Sequence, residues 1–165
     1  MGCRAGIVAR FVLVSAILVL GACTAKNSYE SVGAASGTGI PSDMRAVIAQ
    51  TDWSDPEPFI LRLNEYEFIP PQLVFRSGRP YRLHMENTGN KAHSFVSEGF
   101  FRSIAVKQVV TPQGTVETPV IRRIELAADE QQDITFVPLS PGRYELECDE
   151  PLHAIFGMTG RIEVQ

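Results

Sequence analysis

From Phe59 to the C-terminus, apolar and polar residues alternate with a period of two. Phe59, Leu61 and Leu63 share one face, against Ile60, Arg62 and Asn64. Tyr81, Leu83 and Met85 alternate with Arg82, His84 and Glu86, and Ile134 and Phe136 with Asp133 and Thr135. Tyr144, Leu146 and Cys148 alternate with Arg143, Glu145 and Glu147, and Ile162 and Val164 with Arg161 and Glu163. Successive side chains on a strand point to opposite faces, so this period predicts strands with one buried face. Turn-forming residues punctuate the runs at Ser77–Pro80, Asn87–Asn90 and Ser140–Gly142. Many short strands so divided predict an all-β, antiparallel β-sandwich.

One segment breaks the alternation. Phe100, Phe101 and Ile104 fall at near-helical spacing and Ser97 is a candidate N-cap, which predicts a short helix around 97–105. Val106 to Val110 and Val116 to Leu126 read as extended, with a turn at Thr111–Gly114. Asp43 to Trp53 is ambiguous: Val47 and Ile48 could join a sheet edge before Asp52, Asp55, Pro56 and Pro58 end the pattern.

Ahead of these lies sequence of another kind. Arg4 and Arg10 accompany an apolar run from Phe11 to Leu20, interrupted by Ser15. The run is short for a membrane span and has the layout of an export signal. Leu20, Gly21 and Ala22 lead to Cys23. Small residues just before a Cys resemble the lipobox of bacterial lipoproteins, which implies cleavage before Cys23 and a diacylglyceryl group on its sulfur. The other reading is an ordinary cleaved signal with Cys23 incidental. Residues 24–42 are rich in Ala, Ser, Gly and Thr without hydrophobic period, as in a flexible tether. The expected organisation is a signal peptide at 1–22, a lipid-anchored tether at 23–42 and one domain at 43–165, a monomer on the periplasmic side of a bacterial membrane.

Charged residues at 21% and hydrophobic ones at 44% are ordinary globular usage. Of 15 Lys and Arg, the leader removes Arg4 and Arg10, leaving 13 bases against 19 acids and a net charge of −6. That balance lacks the basic footprint of a nucleic-acid binder and tilts weakly towards basic partners.

Cysteine use carries more. Of three Cys, Cys3 leaves with the leader and Cys23 becomes a thioether. Cys148 then stands alone in a chain sent to an oxidising compartment, with no intramolecular disulfide partner. It ends a strand and faces inward by parity. His153 follows five residues later, and Met158 five after that. One loop between two strands thus offers a thiolate, an imidazole and a thioether, a set that suits copper, with zinc the main competitor. His93 opens a strand after the turn at Asn87–Asn90, and in a Greek-key sandwich such a turn can sit beside a C-terminal loop. Two His and one Cys with an axial Met are the ligands of blue-copper electron-transfer sites. Each residue also has an ordinary reading: Cys148 as a small hydrophobe, Met158 as core filler, His153 as a surface residue. His84 shares a strand face with Arg82 and Glu86, so it is read as solvent-facing.

The stretch from Gly142 through Cys148, His153 and Met158 to Val164 resembles the last two strands of a cupredoxin of the plastocyanin/azurin superfamily. Its C-x4-H-x4-M spacing resembles the rusticyanin-like branch, and Asn87 to Phe95 resembles the family's upstream His segment. The likeness covers roughly Phe59 to Gln165. It implies an eight-stranded Greek-key sandwich and one type 1 copper ion cycling between Cu(I) and Cu(II). Ser94 stands where many relatives have an Asn that steadies the Cys loop by hydrogen bonding, and Leu152 where many have Gly.

In this reading Pro151 stiffens the ligand loop by fixing φ, and Gly157 permits a tight turn beside Met158. Leu152, Ile155 and Phe156 flank His153 as a candidate apolar docking patch for a redox protein; the alternative is that Ile155 and Phe156 turn inward to seal the metal. The function expected is a membrane-tethered one-electron carrier rather than an enzyme. A periplasmic copper chaperone or store is the alternative.

Overall fold

The computed structural model describes residues 29–31, 42–117 and 120–165. The expected signal peptide, the lipidation site Cys23 and most of the expected tether lie outside these residues. Within the stretch read as tether, β1 (Tyr29–Ser31) pairs with a sheet edge.

The segment left open at Asp43–Trp53 is a helix, α1 (Ser42–Gln50), not a strand. Met44, Val47 and Ile48 are its half-buried residues, and that i, i+3, i+4 spacing makes one apolar stripe. Three apolar positions are too few to distinguish a helical period from that of a strand. Trp53 Nε1 donates to the Ile48 carbonyl at 2.9 Å and closes the helix end.

Eleven further strands follow: β2 (Glu57–Asn64), β3 (Glu67–Ile69), β4 (Gln72–Phe75), β5 (Tyr81–Asn87), β6 (His93–Val96), β7 (Ile104–Thr111), β8 (Gly114–Glu117), β9 (Ile121–Leu126), β10 (Gln131–Pro138), β11 (Gly142–Glu147) and β12 (Thr159–Val164). They form two six-stranded sheets, in the orders β1-β9-β6-β11-β12-β4 and β3-β2-β5-β10-β7-β8. Of the successive strand pairs, β2–β3, β7–β8 and β11–β12 stay within a sheet and the rest cross between sheets. That repeated crossing builds a sandwich. The twelve strands among the described residues exceed the eight implied by the resemblance, and one pair in each sheet, β12 with β4 and β2 with β5, runs parallel. Among the described residues no helix is long and apolar enough to cross a membrane.

The alternating faces behave as the period requires. Leu61, Leu63, Leu83, Met85, Phe136, Ile162 and Val164 are buried between the sheets, whereas Ile60 on the outer face of β2 is 52% exposed. Phe75 sits at the centre of an aromatic cluster, with ring centroids 5.3 Å from Phe59, 4.8 Å from Tyr81, 5.7 Å from Phe100 and 5.3 Å from Phe136.

The short helix is α2 (Glu98–Arg102), which delivers Phe100 and Phe101 to the core. Ser97 precedes it but does not cap it: its hydroxyl donates to the Glu145 carbonyl of β11 at 2.6 Å. A hydroxyl buried beside an adjacent strand finds a carbonyl there before it turns back to its own helix. The helix is one residue past a single turn, and the backbone returns to strand at Ile104, inside the 97–105 window. The long insertion then divides between sheets, β7 and β8 joining one and β9 the other. There β9 lies against β6, with Ser94 opposite Glu125.

Candidate metal centre

The topology places the ligands. In one sheet β6 lies between β9 and β11, and β11 runs antiparallel to it, with Glu147 opposite Val96. Val96 is the last residue of β6, so the chain leaving β11 runs back along β6, and Cys148 arrives near His93. The β11–β12 loop carries His153 and Met158 to the same point. His93, Cys148 and Met158 have no exposed surface, and His153 is 7% exposed. The two imidazole Nδ1 atoms stand 3.2 Å apart, and His153 Nδ1 is 3.4 Å from Cys148 Sγ. The ligand atoms of His93, Cys148 and His153 all lie within 4.8 Å of one another. Two buried imidazoles and a thiol converging on one point make a cradle for a soft metal ion. His84 is elsewhere, on β5 of the other sheet, with Nδ1 3.2 Å from Asp133 Oδ1.

The loop is wound tightly enough to fix its ligands. His153 N donates to the Glu150 carbonyl at 3.0 Å, Met158 N to that of His153 at 2.9 Å, and Cys148 N to that of Met158 at 3.1 Å. The first of these closes a four-residue turn with Pro151 second and Leu152 third. Leu152 has φ +71°, so this is the type II pattern: Pro pre-sets its position, and the next favours Gly. A Leu in that left-handed conformation costs about 1 kcal/mol. A glycine at this position would avoid that cost. Gly157, φ +104°, takes a conformation open to glycine before Met158 enters β12. Leu152, Ile155 and Phe156 are 59%, 79% and 61% exposed, so Ile155 and Phe156 do not turn inward over the site.

Ser94 ties the two ligand segments. Its backbone N–H donates to Cys148 Sγ at 3.3 Å, its hydroxyl donates to Asp149 Oδ1 at 2.6 Å, and the Asp149 N–H donates back to Ser94 Oγ at 2.9 Å.

Several supporting residues escaped the sequence reading. Asn87 is buried; its amide donates to the carbonyls of Lys91, Leu126 and Ala127, and its Oδ1 accepts the Gly89 N–H at 2.9 Å. It therefore pins the turn that leads into His93. The residue was visible only as a turn former. Tyr66, at φ +64°, sets its ring edge-on to His153 with centroids 5.2 Å apart and to Phe156 at 5.3 Å. Glu65 Oε1 accepts the Asn90 N–H at 2.6 Å, and a Cβ on Gly89 would lie 2.8 Å from both Glu65 Oε1 and His93 Nε2. No side chain fits at residue 89 without displacing a ligand's imidazole.

Burial, and then the neighbouring His153, hold the His93 imidazole below its ordinary range, against the pull of Glu65. The unfolded chain thus binds this proton more readily than the folded one. The metal-free protein keeps the full contribution above the unfolded value, about pH 6.5, and loses it as pH falls towards the folded value. Its urea midpoint is expected to fall between pH 7 and pH 5, and to fall less in His93→Gln. An unchanged difference between the two proteins would contradict this.

The comparisons with known proteins agree with the geometry. A family model described as a cupredoxin-like domain matches residues 44–162. The chain is a cupredoxin. No curated protein matches it in sequence. Among solved structures, this cupredoxin is similar to dithionite-reduced auracyanin from Roseiflexus castenholzii, at 19% identity over 66% of this chain and 96% of that one, with a TM-score of 0.48. It is also similar to a copper nitrite reductase from Nitrosomonas europaea, at 14% identity over 70% of this chain and 50% of that one, with a TM-score of 0.53. A multicopper oxidase from Campylobacter jejuni gives 13% identity over 69% and 31%, with a TM-score of 0.52. A cupredoxin domain with His93, Cys148, His153 and Met158 brought together carries a type 1 copper site, and the protein is a blue copper protein.

Proposed function

We propose that this cupredoxin is a one-electron carrier, tethered through a lipid on Cys23 to the periplasmic side of a bacterial membrane, and that it is not itself an enzyme. One observation carries the reading most. The ligands are buried, and the solvent-nearest of them, His153, is surrounded by exposed Leu152, Ile155 and Phe156. Copper bound there supplies a single reversible electron. The chain's part is to keep four ligands in one arrangement for both oxidation states and to offer a short route out through an imidazole edge. An apolar rim suits a small, transient contact with a redox protein. A second copper centre of the kind that oxidases and reductases require would need more imidazoles. The sequence holds three His, and the third, His84, pairs with Asp133 on the other sheet.

A copper chaperone or store would need exchangeable ligands, and a thiolate with no exposed surface disfavours that. The test is to load the protein with copper and follow two rates. Fast reversible reduction with slow loss of copper to a chelator is expected; rapid loss to the chelator would sink the carrier reading. The lipid is tested separately, by mass spectrometry of the membrane fraction and by its release to the soluble fraction in Cys23→Ser.

The docking patch has its own test. Leu152→Lys keeps the same strained backbone at residue 152 but places a charge on the apolar rim. Electron transfer with the native donor or acceptor is expected to slow by roughly tenfold, the equivalent of about 1.4 kcal/mol at such a contact. An unchanged rate would refute the patch.

A further inference from the structure

On the β9 side of the site stands a cluster that ligand binding does not itself require. The Ser94 hydroxyl has one proton and two acceptors in reach, Asp149 Oδ1 at 2.6 Å and Cys148 Sγ at 3.5 Å. The short distance to a carboxylate marks the charge-assisted bond, and the Asp149 N–H fixes the oxygen from the other side at 2.9 Å. Asp149 is held in turn. Arg123 Nε donates to both of its carboxylate oxygens, at 2.8 and 3.0 Å, while the remaining guanidinium nitrogens reach Glu125 and Glu150. Arg123 is 22% exposed at its side chain and comes from β9, the strand of the insertion that pairs with β6. A guanidinium fork so placed makes several strong bonds at once, which a surface ion pair does not.

We propose that Arg123 and Asp149 are positioning residues for the copper thiolate: they hold the Ser94 hydroxyl proton away from Cys148 Sγ, leaving the sulfur one hydrogen bond from this residue, the Ser94 backbone N–H. A hydrogen bond to the thiolate draws charge from the sulfur, weakens its donation to Cu(II) and favours Cu(I). Withholding one keeps the reduction potential low and the thiolate-to-copper band at low energy. The inference rests on the copper site and not on the carrier role or the membrane anchor.

The test uses the copper-loaded protein and two readouts, the midpoint potential and the position of the thiolate-to-copper band. Asp149→Asn removes the charge but keeps an oxygen acceptor; Asp149→Ala removes both. Asp149→Ala is expected to raise the potential further than Asp149→Asn, by about a tenfold change in the Cu(I)/Cu(II) ratio, which is about 59 mV for one electron. Its band moves to higher energy. Both excesses vanish in the double variant Ser94→Ala/Asp149→Ala, because the freed hydroxyl is gone. Ser94→Ala alone leaves the band in place, and Arg123→Gln gives a smaller rise that Ser94→Ala also cancels. The proposal is overturned if Asp149→Ala and Asp149→Asn behave alike, if the excess persists without Ser94, or if Ser94→Ala alone shifts the band. Absence of any thiolate band in the unmodified protein with Cu(II) would instead overturn the copper site itself.

Discussion

Cys148→Ser is expected to abolish the intense visible absorption of the protein titrated with Cu(II). The band needs a thiolate bound to copper, and Cys148 is the one cysteine among the described residues: it is buried, and it sits 3.4 Å from His153 Nδ1 with the Ser94 N–H donating to its sulfur. A serine hydroxyl in its place is a hard, protonated oxygen among imidazoles and a thioether, a set that copper prefers less. Changes to groups that merely support ligands cost about 10–100-fold in metal affinity, so loss of this ligand should cost at least about a hundredfold. The fold should survive, since one new hydroxyl beside His153 and the Ser94 N–H costs on the order of 1–3 kcal/mol. Near-UV circular dichroism of the metal-free variant checks that point. A variant that kept the band would remove Cys148 from the site.

Phe75→Ala is expected to be the most damaging single change to stability. Phe75 has no exposed surface, and four aromatic rings converge on it from β2, β5, α2 and β10. Its strand is an edge strand, so the ring joins the two sheets where neighbouring backbone bonds are fewest. Truncation of a buried Phe costs about 3–5 kcal/mol through lost transfer energy and the cavity left behind. Against a total of about 5–15 kcal/mol for a domain, that is a large fraction. The urea midpoint should drop accordingly with little change in slope. A loss below about 1 kcal/mol would mean that the cluster repacks around the gap and contributes little as a unit. The copper site, formed by the start of β6 and the β11–β12 loop, should keep its band wherever the variant is folded.

Much of this molecule was legible in its sequence because its chemistry is local. The strand faces followed from a period of two, and the buried face holds Leu61, Leu83, Phe136 and Ile162 as that period demands. Cys148, His153 and Met158 lie on one loop, so their spacing alone set them near one another. What the sequence could not decide is long-range. Strand parity already set His84 aside and left His93 as the candidate, but what carries His93 to the loop is β6 lying next to β11, while β5 belongs to the other sheet. The helix at Ser42–Gln50 had too few apolar positions to declare its period, and Ser97 chose a carbonyl on another strand over its own helix. Arg123 lies in a stretch whose sequence says only that it is extended. Only the pairing of β9 with β6 brings it within reach of Asp149, and with it of the hydroxyl beside the thiolate. Hydrogen bonds to a side chain depend on where separate strands meet, and strand order is set by the packing of the whole sandwich rather than by any one segment of the chain.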